Sequence, residues 1–142
     1  MKTFTTTRML TIGVALFSMS AIAEVKVIGH SSVKEEALSK DIVTRLFLGK
    51  QDKFPSGKKA VVIDQEPGEE IRDEFYTKVV KKNPAQLKSY WSRLIFTGQG
   101  LPPKRVLDDD EVLELITENP NLIGYVSGET DVSGVKVLLS IP

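Results

Sequence analysis

The sequence has no cysteine, one histidine and one tryptophan among its 142 residues. Without cysteine there is no disulfide framework, no thiolate metal site, no cysteine nucleophile and no lipid-modified cysteine. His30 is the only imidazole and no serine nucleophile elbow accompanies it, so a nucleophilic triad has no sequence support. Carboxylates abound, but no spacing singles out an acid and a base. The composition therefore points away from an enzyme and calls for no cofactor. Basic excess is also missing: 19 Lys and Arg balance 19 Asp and Glu, without the basic stripe of a nucleic-acid binder.

Long apolar runs are absent as well. A bilayer-spanning helix takes about 20 apolar residues. The run Met9 to Phe17 is too short, and no later segment is long enough, so membrane insertion is not expected. That run follows Lys2 and Arg8 and precedes the small residues Ala21 and Ala23, which is the pattern of a secretory signal peptide over residues 1–23. Removing the first 23 of 142 residues leaves 119, the size of one domain over residues 24–142. Loss of Lys2 and Arg8 takes the 19 basic residues to 17 against 19 acidic ones, so the exported chain is slightly negative. With neither lipid anchor nor membrane span, the periplasm is the expected location.

Within that domain, Glu24 to Gly29 is β-branched and ends in a turn, as a first strand should. Ser39 is placed to cap a helix with Val43, Leu46 and Phe47 on its buried face, ended by Gly49. A loop containing Pro55 and Gly57 leads to a short strand, Ala60 to Ile63. After Pro67 and Gly68, Ile71, Phe75 and Val79 repeat at helical spacing, and Asn83 closes that helix. The segment "NPAQ" opens the next with a capping box, and Leu87, Tyr90 or Trp91, Leu94 and Ile95 form its inner face. The stretch "TGQGLPP" is irregular. Asp108 and Glu111 form a second capping-box pattern, with Leu107 positioned to staple onto Val112, and the helix stops before Pro120. Leu122 to Val126 and Val135 to Leu139 are the last strands. This order predicts an α/β fold with helices packed on a mixed β-sheet.

The residues that carry a family resemblance are "LFLGK" (Leu46 to Lys50), the strand-turn-helix through Phe75, "IFTG" (Ile95 to Gly98) and "NPNLIGYV" (Asn119 to Val126). Together they resemble the phosphate-binding components of ABC transporters. The chain is most similar to short periplasmic members of that group, for which "YWSRLIFTGQGLPP" (Tyr90 to Pro103) is the distinctive stretch. The resemblance implies a single periplasmic-binding-protein-like lobe, where full-length members close two lobes on a ligand. Half of the cleft is then missing or supplied by another molecule. It also implies phosphate or another small oxyanion as ligand, and an ABC permease or a second protomer as partner.

At the turn where full-length members place an arginine, glycines and hydroxyls, this chain reads "DQEPGEEIRDEF". Gly68 matches, whereas Glu69 and Glu70 stand at hydroxyl positions and Arg72 lies one turn inside the helix. A helix N-terminus favours an anion by about 0.3–1 kcal/mol. One like charge about 5 Å away opposes it by about 3 kcal/mol at an effective dielectric of about 20. The acids also stabilise the helix itself, so two readings stay open. Either an oxyanion is held by donors from Ser31, Ser32, Gly68, Arg72 and Thr97, or the lobe has kept the fold, lost the ligand and presents its cleft face to a periplasmic partner or to itself. His30, beside Ser31 and Ser32, adds charge to the first of these below pH about 6.5. Three further features have plainer explanations. "DDDE" (Asp108 to Glu111) lacks the alternating ligands and glycine of a calcium loop and is explained by capping. Trp91 with Tyr90 reads as core, and Arg93 as a solvated side chain.

Overall fold

The computed structural model describes residues 23–142, so the expected signal peptide, all but its last residue, lies outside the described residues. Five strands form one sheet: β1 (Val25–Gly29), β2 (Val61–Gln65), β3 (Lys104–Val106), β4 (Leu122–Ser127) and β5 (Lys136–Ile141). Their spatial order is β3-β2-β4-β1-β5. β2 is parallel to β3 and to β4, whereas β1 is antiparallel to both its neighbours, β4 and β5. The sheet is therefore mixed, as the sequence predicts.

The helices cover both faces. On one side α1 (Lys40–Phe47), α2 (Glu70–Phe75) and α3 (Pro84–Phe96) pack over Val25, Val27, Ile123 and Tyr125. On the other, α4 (Asp109–Glu118) packs over Ile28, Ile63, Leu122 and Val126. A Cβ on Gly124 would stand 2.9 Å from Val112 and 3.1 Å from Ile63, so the missing side chain is what lets α4 lie close on β4. On the three-helix side, the Phe75 ring stacks on Tyr125 at 4.1 Å and tilts against Phe47 at 4.6 Å. Each such ring contributes roughly 1.5–3 kcal/mol by leaving water.

Local signals set the helix starts. Ser39 accepts the Ile42 N–H at 3.2 Å. Asn83 and Gln86 exchange both bonds of a capping box at 2.9 Å each. Asp108 accepts the Glu111 N–H at 3.0 Å, while Glu111 reaches back to the N–H of Leu107. Trp91 is core, filling the space beside Gly49.

Three local expectations are corrected and one strand is added. α2 continues into a π-turn over Tyr76–Val80, and Lys81, at φ 61° in the left-handed region, ends it two residues before Asn83, the residue expected to close it. The π-turn widens the buried face, so Tyr76 and Val80 go inside along with Phe75 and Val79, while Ile71 is only half-buried. Ile95 is exposed, because the last turn of α3 runs past the core and leaves Phe96 in solvent too. Leu107 is 68% exposed and makes no staple. Finally, Lys104–Val106, unassigned from sequence, is an edge strand held by backbone pairing to β2.

At the start of β1 the backbone is already tied down. The Glu24 carbonyl accepts the Gly128 N–H at 2.8 Å, and the Ala23 carbonyl accepts from the Lys78 ammonium.

Candidate functional site

The C-terminal ends of β2 and β4 meet at one sheet edge, and β2 ends in two polar residues that the fold buries. Asp64 is 2% exposed and Gln65 1%. Asp64 accepts hydrogen bonds from the Gln65 N–H (2.8 Å), from Arg72 Nε and Nη2 (3.3 Å each), from the Tyr76 hydroxyl (2.9 Å) and from the Tyr125 hydroxyl. Arg72 is itself only 6% exposed and lies 5.0 Å over the Tyr76 ring. A buried carboxylate needs this many donors, because an unpaired charge here would cost several kcal/mol. Burial first, and then the Asp64 charge, holds the Tyr76 and Tyr125 phenols protonated well above their ordinary range.

Next to this network Gln65 Nε2 donates to Asp109 Oδ1 (2.7 Å) and to the Tyr125 carbonyl (3.0 Å). The other oxygen of Asp109 accepts from the Ser127 N–H (3.0 Å) and the Thr130 hydroxyl (2.7 Å). Asp109 thus joins the starts of β2's exit, α4 and the β4–β5 turn. Both partners of the Gln65 amide nitrogen are acceptors, which fixes the orientation of the amide. Gln65 Oε1 is then left buried with no donor among the described residues.

Above these residues opens a cleft of about 650 Å3 whose walls carry Glu24, Glu69, Glu70, Asp108, Asp109, Asp110 and Glu129, with no basic side chain among the described lining residues. Gly68, at φ 100°, makes the turn that delivers Glu69 and Glu70 to the rim. Glu69 is the N-cap of α2, makes no side-chain capping bond and lines the cleft.

The five candidate oxyanion residues do not converge. Gly68 and Arg72 share the β2–α2 connection, but Arg72 turns inward to Asp64. Ser31 and Ser32 follow the C-terminal end of β1. Because β1 pairs antiparallel with β4, Gly29 opposite Ile123 and Val25 opposite Ser127, that end lies at the other sheet edge. There the Ser32 N–H donates to His30 Nδ1 at 3.1 Å, a local turn exposed to solvent. Thr97 terminates α3, and its hydroxyl donates to the Arg93 carbonyl at 2.9 Å; it does not line the cleft. Asp64, Gln65, Asp109 and Tyr125 are the residues that build this edge. The sequence signals only Asp64 and Gln65, through a strand, VVIDQ, that ends in two polar residues just before a glycine turn.

Solved structures share this architecture. A protein of Clostridium perfringens assigned as a phosphate ABC transporter substrate-binding protein, with bound phosphate, superposes with a TM-score of 0.64 at 17% identity, covering 82% of this chain and 44% of that one. The chain has the fold of one binding-protein lobe. An ABC-type phosphate transport receptor of Vibrio cholerae matches with a TM-score of 0.64 at 12% identity, over 82% of this chain and 45% of the receptor. PstS of Borrelia burgdorferi matches with 0.61 at 12%, over 82% and 46%. The lobe therefore spans under half the length of each of these proteins. No protein-family model matches the sequence, and no curated protein matches it.

Proposed function

We propose that this chain is an exported, periplasmic binding module, a single solute-binding-protein-like lobe that works by presenting its cleft edge to a partner and performs no catalysis. Of the two readings of the sequence, the geometry favours the one in which the fold is kept and free oxyanion capture at the β2–α2 turn is lost. The observation that carries this is Arg72. It is the cation nearest the turn in sequence, and it is buried against Asp64 at 3.3 Å, while the cleft in front is walled by carboxylates. A phosphate there gains about 0.3–1 kcal/mol from a helix N-terminus. Each carboxylate about 8 Å away opposes it by about 2 kcal/mol at an effective dielectric of about 20. Several such charges outweigh the dipole. The partner supplies the second wall that two-lobed proteins carry in one chain; a periplasmic protein, a permease or a second copy of the lobe each fits that role.

The test is a thermal melt of the exported protein with increasing phosphate and sulfate at matched ionic strength. No saturable rise in Tm is expected. A saturable rise that Arg72→Ala abolishes would reverse the conclusion. It would return the site to an oxyanion held by some of Ser31, Ser32, Gly68, Arg72 and Thr97, the reading favoured by the likeness to a phosphate-bound protein.

A further inference from the structure

Resting on the reading of the lobe as a binding module, we propose that the acidic cleft takes an organic ammonium group, with Gln65 Oε1 as its buried hydrogen-bond acceptor. Two independent observations converge on this. The first is charge: seven carboxylates and no described cation line a cleft of about 650 Å3, a volume within the usual range for small-ligand sites. The second is the orphan acceptor. Gln65 is 1% exposed, lines the same cleft and holds Nε2 between two acceptors, so Oε1 needs a donor that the described residues do not provide. Buried polar atoms in folded proteins are nearly always paired, and an unpaired carbonyl oxygen beside a ligand-sized cleft points to a donor from outside.

The donor's chemistry follows from what surrounds it. Every side-chain group offered by Gln65, Glu69, Glu70 and Asp110 to the cleft is an acceptor or an anion, save the Gln65 nitrogen that Asp109 and Tyr125 already occupy. The ligand must therefore bring both positive charge and hydrogens. Among the described residues no three His, Asp or Glu side chains are disposed to hold a metal ion, which favours an ammonium over a bare cation. The group comes from a free amine or from a lysine side chain of the partner.

Two probes separate those sources: 1,4-diaminobutane and a blocked tripeptide with a central lysine, each added, against sodium chloride of equal ionic strength, to the exported protein with an acetyl group on the Glu24 amine, which removes the chain's own ammonium from the cleft. A saturable rise in Tm of about 3 °C or more is expected with at least one of them. A response to the diamine identifies a free amine as sufficient, and a response to the peptide alone assigns the group to a partner's lysine. The exposed-residue variant Glu69→Gln/Glu70→Gln/Asp110→Asn should lose the response. In the acetylated protein without these substitutions, the Gln65 side-chain amide resonances should move along the same saturation curve, a readout that does not depend on the variant folding. The proposal is overturned if neither probe gives a saturable shift, if the shift survives neutralisation of the three acids, or if the Gln65 amide stays still. None of these outcomes bears on the phosphate melts, so the two readings fail separately.

Discussion

Replacing Arg72 by methionine tests whether its charge is committed to Asp64. The substitution keeps the apolar stem but removes the cation from a pair in which the arginine side chain is 8% exposed and the aspartate 3%. Breaking such a pair from one side leaves an uncompensated buried charge and costs about 3–5 kcal/mol. Asp64 keeps its bonds from Tyr76, Tyr125 and the Gln65 N–H, so the lower end, about 3 kcal/mol, is expected. For a domain of this size, about 120 residues at roughly 2.1 cal/mol/K each, that lowers Tm by about 12 °C. Urea denaturation of wild type, Arg72→Met, Asp64→Leu and the double variant forms a thermodynamic cycle. The double variant should be less destabilised than the two singles summed, by about 1.5 kcal/mol or more, because neither charge is then stranded. A loss below about 1 kcal/mol for Arg72→Met, with additive singles, would mean that the guanidinium faces the cleft, and the case against oxyanion capture would fall with it.

Two further outcomes follow from the same geometry. Gly124→Ala should destabilise the lobe by about 1–3 kcal/mol in the same denaturation assay, because its methyl would meet Val112 at 2.9 Å and Ile63 at 3.1 Å; a neutral result would show that α4 rides loosely on the sheet. Tyr76 and Tyr125 have folded-state pKa values raised above the unfolded value of about 10, so their contribution to stability is complete below pH 10 and is lost as pH climbs beyond it. Absorbance at 295 nm during an alkaline titration should show these two phenols ionising only together with unfolding; their ionisation near pH 10 in a folded lobe would contradict the buried network.

The parts of this molecule legible in the sequence are those decided by residues a few positions apart. Ser39, the Asn83 and Gln86 pair, and Asp108 with Glu111 bond to backbone groups three or four residues away, and each reads correctly. The mixed α/β order follows from hydrophobic periodicity. What escapes is whatever depends on distant partners. Lys104–Val106 becomes a strand only because β2 offers it hydrogen bonds. Ile95 has the spacing of a buried residue, but the core ends one turn before it. The separation of Ser31 and Ser32 from Gly68 depends on the direction of β1 in the sheet, which no local pattern encodes. The inward turn of Arg72 depends on Asp64, Tyr76 and Tyr125 meeting across two strands and a helix, so its spacing in the chain does not reveal whether it faces ligand or core.

The anchoring of Ala23 and Glu24 sets an order of events. In the folded chain with Ala23 still attached, the carbonyls on either side of the expected processing junction are both engaged, one by Lys78 and one by Gly128, and β1 is paired on both edges from Val25 onward. A peptidase has to draw several residues into an extended, unpaired conformation to cut. A leader removed after Ala23 must therefore be trimmed while the emerging polypeptide is still open, and a lobe that folds first would shield its own maturation site.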